Sequence, residues 1–259
     1  MGDEASNLIR AIFGSSESAR SWFRSNIDAT LLYPYSTDAQ FEEFAESSVA
    51  LGIKHICIPV TKISLVANVV SSASIHIVAV VGFPYGNMST TSDKVSQVEF
   101  AASSCAAEID FVCDISMFRS DKDAFRDQLE KIVSSAHAHG MLAKGILETY
   151  YLSNSEITEM SSYLEGAGAD FVKTSTGFAI KGKNHPDRNS EYTGFAPDTV
   201  PLIAAGVVSK ELTGIKLAGG IGNAEQALSG IKACIDAGWK LEKIRIGASS
   251  AKSILEGIG

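Results

Sequence analysis

Eight short runs rich in isoleucine and valine recur along the chain, separated by segments whose apolar residues follow a helical period. The runs are Asn26–Thr30, Ile53–Pro59, Ile75–Gly82, Glu108–Cys113, Leu142–Glu148, Phe171–Lys173, Gly214–Lys216 and Lys243–Gly247. After the first, Phe41, Phe44, Ala45, Ser48 and Val49 fall at i, i+3, i+4, i+7 and i+8, which draws one core-facing stripe. Phe125, Leu129, Ile132, Val133 and Ala136 repeat it after the fourth, and Ala227, Leu228, Ile231, Cys234 and Ile235 after the seventh. Gly52, Gly140, Gly168 and Gly238 stand where a helical segment gives way to the next run. Runs this short and apolar belong to parallel strands buried on both faces, with helices as the cover. An open doubly wound sheet and a closed barrel both meet that demand. No Gly-x-Gly-x-x-Gly opens the first helix, and 259 residues is a typical length for one (β/α)8 barrel. The expectation is an α/β TIM barrel as a single domain, residues 1–259, with residues 1–25 as a helical cap over the barrel bottom.

Two lysines interrupt the apolar runs. In Gly168-Ala169-Asp170-Phe171-Val172-Lys173-Thr174-Ser175-Thr176-Gly177-Phe178 a short strand carries Lys173 and stops at a glycine loop. Gly214-Ile215-Lys216-Leu217-Ala218-Gly219-Gly220 repeats that setting around Lys216. A charged lysine on a barrel strand loses its water, and the local sequence offers no obvious carboxylate partner. Lowering the pKa keeps the amine neutral, which relieves that cost and makes it a nucleophile. Two cations aimed into one cavity would depress each other's pKa further, as a Schiff-base enzyme requires. Bringing a lysine from its ordinary ~10.4 to near 7 takes about 3 pKa units, or ~4–5 kcal/mol. The alternative is an ion pair between Lys173 and a carboxylate at another strand end. Lys216 taken alone fits either reading.

Polar residues at the C-terminal ends of barrel strands converge on one site. Here they are Asp28 and Thr30, Asp110, Lys144 with Glu148, Lys173, and Lys216. Glycine turns follow at Gly82-Phe83-Pro84-Tyr85-Gly86, Thr176-Gly177, Gly219-Gly220 and Gly247-Ala248-Ser249-Ser250. The last two follow runs seven and eight, the usual phosphate cup of this architecture, where glycines let backbone N–H groups approach an anion. Each residue has a plainer reading. Asp110 would cap a loop or pair with a lysine, Asp28 would mark a turn, and Ser249 and Ser250 would be helix N-caps. Between Ala179 and Pro197 the chain is polar and irregular, with Lys181, Lys183, His185, Asp187, Arg188 and Glu191. It leaves from the C-terminal face, so it reads either as a lid or as a solvated insertion.

The net charge of −8 argues against a nucleic-acid footprint and against a polybasic membrane patch. An anionic substrate therefore needs a local positive pocket. Cys57, Cys105, Cys113 and Cys234 have no metal or redox spacing, and Cys57 and Cys113 read as reduced core thiols of a cytoplasmic protein. His55, His76, His137, His139 and His185 lack ligand spacing, so no metal is expected. No apolar run reaches membrane-spanning length, and no signal peptide opens the chain.

The motifs, in order, resemble one family. They are Ile27-Asp28-Ala29-Thr30-Leu31-Leu32, Val81–Gly86, Glu108–Val112, Lys144–Thr149, Gly168–Phe178, Lys216–Gly220 and Arg245–Ser250. Together they resemble deoxyribose-phosphate aldolase, a class I aldolase, over roughly residues 26 to 255. The resemblance implies reversible cleavage of 2-deoxy-D-ribose 5-phosphate to D-glyceraldehyde 3-phosphate and acetaldehyde, with no metal or organic cofactor, in a homo-oligomer. By match of motif, Lys173 forms the imine, Lys216 is the cationic neighbour that lowers its pKa, and Asp110 moves protons through a water. Thr176, Gly177, Gly219, Gly220, Ser249 and Ser250 hold the phosphate, and Asp28, Thr30, Lys144 and Gly247 complete the substrate-binding candidates. The chain departs from the family at Cys105-Ala106-Ala107, where Gly-Ala-Asp is usual, in the longer 179–197 loop, and in a final Gly257-Ile258-Gly259 where some members carry a tyrosine. The alternatives are a Schiff-base aldolase for another aldehyde phosphate and an aldolase-fold scaffold that binds a protein partner.

Overall fold

The eight runs are eight parallel strands: β1 (Ile27–Thr30), β2 (His55–Pro59), β3 (His76–Val81), β4 (Glu108–Val112), β5 (Leu142–Ile146), β6 (Phe171–Lys173), β7 (Gly214–Ala218) and β8 (Ile244–Ala248). They pair in chain order and β8 returns to β1, so the sheet closes and leaves no edge. The structure is a computed structural model that describes residues 3–185 and 193–258. Strand ends differ from the expected ones by one or two residues. β5 stops two residues early, at Ile146, because Glu148 turns into the left-handed region at φ 58°.

Helices α3 (Asp38–Ala50), α4 (Ile63–Ser71), α5 (Thr91–Ser103), α7 (Lys122–Ala138), α8 (Asn154–Gly166), α9 (Thr199–Gly206), α10 (Ala224–Asp236) and α11 (Ala251–Glu256) form the outer layer, with the short α6 (Ile115–Ser120) before α7. The periodic stripe of α7 is buried as expected, at Phe125, Leu129, Ile132, Val133 and Ala136. It meets outward residues such as Ile109 and Phe111 in one continuous core. Thr37 with Gln40, Thr90 with Asp93, and Ser153 with Glu156 make reciprocal caps that start α3, α5 and α8. Such caps fix where each loop on the C-terminal face hands over to its helix, at roughly 1 kcal/mol apiece.

The first helix departs from the expected cap over the barrel bottom, and the second keeps to it. α1 (Asp3–Phe13) lies along α10 on the barrel flank, burying Ala5 and Ile9, and does not cross the bottom. Its Glu4 and Leu8 stand beside Gly219 and Gly220, at the opposite end of the barrel. An amphipathic helix needs an apolar groove, and α10 offers one. α2 (Ser16–Asn26) does stay at the N-terminal end, where Trp22 Nε1 donates to Leu241 O and Arg24 Nε to Leu51 O. The described parts of the 179–197 loop are tied down: Ile180 and Gly182 N–H donate to the hydroxyls of Tyr151 and Tyr150, and Phe195 N–H to Gly219 O. Asp187, Arg188 and Glu191 lie outside the described residues.

Candidate active site

Strand register brings the charges together. Asp110 on β4 pairs in register with Lys144 on β5, and Lys173 on β6 with Lys216 on β7. Asp110 Oδ2 accepts from Lys173 Nζ at 2.7 Å and from Lys216 Nζ at 2.6 Å, while Oδ1 accepts from Lys144 Nζ at 3.1 Å. Lys216 also bonds to Asp28. Asp28 Oδ1 in turn accepts from Arg245 Nη1 at 3.2 Å. Deeper still, Glu108 Oε1 accepts from Arg245 Nη2 at 2.7 Å and Oε2 touches the Lys144 ammonium. Every member is buried.

Burial alone would raise the Asp28 carboxyl, but Lys216, Lys144 and Arg245 outweigh it and hold that carboxyl below the usual range. Asp110 follows the same balance, with Lys144, Lys173 and Lys216 overriding its burial. Burial would lower the Lys216 and Lys144 ammoniums; the carboxylates around them win, and both are raised. At the bottom, burial pushes the His55 imidazole down to about 4, so it is neutral at pH 7.

Lys173 has the carboxylate partner at another strand end that the ion-pair alternative allowed, 63 positions away in sequence. Lys216 does not press on Lys173 as a bare like charge; it is an ammonium clasped between Asp28 and Asp110. Asp28 and Lys144, expected to touch substrate, are fully buried beneath the cavity and serve this network instead.

A cavity of about 280 Å³ opens above Lys173 on the C-terminal face. Thr30, Thr176, Gly177, Gly219, Gly220, Gly247, Ser249 and Ser250 all line it, with Leu32, Tyr33 and Phe178 as the apolar part of the wall. Lys173 is 3% exposed and is the one cationic side chain among its described lining residues. Gly247 is glycine for space, since a Cβ there would lie 3.0 Å from Lys216 Cε. Gly219, at φ 93°, needs glycine twice over, for its conformation and for its packing against Gly194. Ser250 precedes α11 without making a side-chain cap bond. Its hydroxyl is not spent on the helix.

Residues 26–256 match the family described as DeoC/LacD family aldolase. The chain belongs to that family. It is 34% identical over 237 residues to deoxyribose-phosphate aldolase 1 of Staphylococcus aureus strain MRSA252, covering 91% of this chain and 96% of that protein. A deoxyribose-phosphate aldolase of Thermoanaerobacter sp. strain X514 is 34% identical over 232 residues, 89% of this chain and 94% of its own. Among solved structures, the tetrameric deoxyribose phosphate aldolase of Aeropyrum pernix superposes with a TM-score of 0.78 at 25% identity, covering 99% and 97% of the two chains.

Around this aldolase-family site stand groups to which sequence reading gave no role. Glu148 is one: its Oε2 accepts Thr176 N–H at 3.1 Å and the Thr176 hydroxyl, and burial pushes the carboxyl up to about 7 against those bonds. Its place at a strand end was the only signal. Glu108, Arg245 and His55 are the others, and only barrel closure reveals them. Ligand atoms of His55, His76 and Glu108 lie within 4.8 Å of one another, because register sets His55 beside His76. Both Glu108 oxygens already serve Arg245 and Lys144, so that carboxylate is not on offer to a cation.

Proposed function

We propose that the protein is a class I aldolase that cleaves 2-deoxy-D-ribose 5-phosphate reversibly to D-glyceraldehyde 3-phosphate and acetaldehyde. One observation carries this reading: a lysine amine lies on the floor of a glycine- and serine-lined cavity, 2.7 Å from a buried aspartate. The Lys173 amine adds to the C1 aldehyde, and loss of water gives a protonated imine. Asp110, acting through a water, takes the proton of the C3 hydroxyl. The C2–C3 bond then breaks, C3 leaves as the new aldehyde, and the electron pair enters the iminium to give an enamine. Protonation at C2 and hydrolysis release acetaldehyde and free Lys173.

Beneath the nucleophile the carboxylates of Asp28, Glu108 and Asp110 face Lys144, Lys216 and the guanidinium of Arg245, three against three, and Asp110 reaches Lys173 as well. Lys216 acts by holding Asp110 and Asp28 in place. The phosphate is met by backbone N–H groups and hydroxyls from Thr176 to Gly177, Gly219 to Gly220, and Ser249 to Ser250. A homo-oligomer in the cytoplasm fits this reading; the Aeropyrum pernix relative is described as tetrameric, and no helix among the described residues is long and apolar enough to cross a membrane. A scaffold with no turnover has no observation in its favour.

The test is borohydride trapping with deoxyribose 5-phosphate, followed by mass spectrometry of the digest. A reduced adduct on Lys173 alone is expected. A folded protein that yields none would refute the reading.

A further inference from the structure

Past the end of β5 the ladder to β6 continues irregularly. Leu147 N–H donates to Lys173 O at 2.9 Å and Thr149 N–H to Thr174 O at 3.1 Å, so Glu148 is an extra residue between two ladder bonds. An inserted residue of this kind re-aims its side chain, and such bulges recur beside active sites. Glu148 takes φ 58° and ψ 65°, a conformation that disfavours side chains other than those of glycine and asparagine. The strained turn points its carboxylate at the loop that follows β6. There Oε2 collects two donors of Thr176, and the same Thr176 hydroxyl oxygen accepts Phe178 N–H at 3.0 Å. Thr176, Gly177 and Phe178 form one wall of the Lys173 cavity. Oε1 of Glu148 is buried with no hydrogen-bond partner among the described residues.

We infer that Glu148 is a positioning residue whose ionised form locks the Thr176–Phe178 wall in the substrate-binding geometry and whose protonated form slackens it. The inference rests on the aldolase reading for its kinetic test but concerns no reacting atom. An ionised carboxylate accepts the two Thr176 bonds about twice as strongly as a neutral acid does. Burial places the switch near pH 7, within the working range. Other groups face this carboxylate from every side. Lys173 stands on β6 and Tyr151 on its own turn, while Tyr85, Arg119, Lys183 and His185 line the adjoining cavity. His185 is the one imidazole of the set, so His185→Asn is the control.

The experiment compares kcat and KM of wild type and Glu148→Gln for deoxyribose 5-phosphate between pH 6 and 8. Gln mimics the protonated acid at every pH. The ratio of mutant to wild-type KM should be within about twofold of unity at pH 6 and rise to about tenfold at pH 8, with kcat changed less than about threefold. The phosphate of the substrate titrates in both enzymes and cancels in that ratio. His185→Asn should keep the wild-type pH dependence. A ratio that does not move with pH, a loss confined to kcat, or a step abolished by His185→Asn would overturn the inference. Should Glu148→Gln fail to fold, Glu148→Asp, a methylene short of Thr176, carries the same expected ratio. If wild type forms no borohydride adduct on Lys173, the aldolase reading falls and thermal unfolding decides this one. The wild-type Tm should then decline relative to that of the Gln variant as pH rises from 5 to 7.5, because the native acid binds its proton more tightly than the unfolded one. A constant difference overturns the inference.

Discussion

Strands β4 to β8, with β1, face the barrel axis with Asp28, Glu108, Asp110, Lys144, Lys173, Lys216 and Arg245. The middle of β2 and β3 faces it with Cys57, Val78 and Val80, which pack with Leu32, Phe83 and Phe178. Both sides are dry, yet they obey opposite rules. On the apolar side each residue is stabilised by leaving water, at about 25 cal/mol per Å². On the charged side burial is unfavourable for every group, and stability depends on each finding its counter-charge. The difference teaches what the charged side is for. An apolar interior would hold the barrel together as well, but it would leave a lysine at the cavity floor without a carboxylate to orient it or to move a proton. The apolar side shapes the space, and the charged side holds the amine of Lys173 against Asp110.

The sharpest way to break this contrast is at the cavity floor. Lys173→Ala removes the proposed nucleophile but leaves Asp110 with two ammonium partners, Lys144 and Lys216. Turnover should fall by about 10⁴-fold or more, with the unfolding transition retained. Residual activity above a hundredth of wild type would move the imine to another lysine.

Lys216→Leu attacks the network rather than the reaction. It strips Asp28 and Asp110 of the ammonium that bridges them, and the remaining cations are left to neutralise two buried carboxylates. Breaking a buried pair by removing one partner costs about 3–5 kcal/mol. Urea denaturation should show a loss of that order; a cost below ~1 kcal/mol would mean that Lys216 is not the ion-pair hinge of the interior.

The contrast also marks the limit of what a sequence displays. The eight strands and their helices were legible because burial on both faces forces continuous apolar runs, and helix stripes repeat with their own period. Lys173, Gly219, Gly220, Ser249 and Ser250 were legible because the strand-end rule applies to them directly. The same rule misplaced Asp28 and Lys144. Each sits two residues before the end of its strand, and at about 3.3 Å per residue that is one layer below the cavity. The sequence allowed Lys173 and Asp110 an ion pair only as an alternative and gave no sign of the deeper pairs, since Arg245 meets Glu108 across 137 positions and only closure of the barrel joins them. The carboxylate missing beside Lys173 in the sequence was always going to come from another strand.

His55 tests the N-terminal end of the charged side. Its folded pKa is pushed down to about 4 from the ordinary 6.5, by burial first, with Arg245 and Lys144 adding to it. A base depressed in the fold contributes stability that is present above pH 6.5 and is lost as pH falls toward 4, because the unfolded chain takes up the proton first. The loss reaches up to about 3 kcal/mol at the acid end. His55→Gln should flatten that part of the acid limb while the carboxylates still account for unfolding at lower pH. Parallel stability curves for the two proteins between pH 7 and 4 would show that His55 is solvated.

The smallest effect belongs to the apolar side. Val78 is fully buried, and Val78→Ala deletes two methyls from a wall with no polar group to relax into the space. The cost should be about 2 kcal/mol, from lost transfer energy and a residual void. What matters for the contrast is what should stay unchanged. Val78 pairs in register with Glu108, so it is as near to the network as any apolar residue, yet it holds no charge for the network to answer. The pH dependence of kcat/KM in Val78→Ala should therefore superimpose on that of wild type. A displaced profile would mean that the apolar wall, and not the ion pairs alone, shapes the pH response of the site.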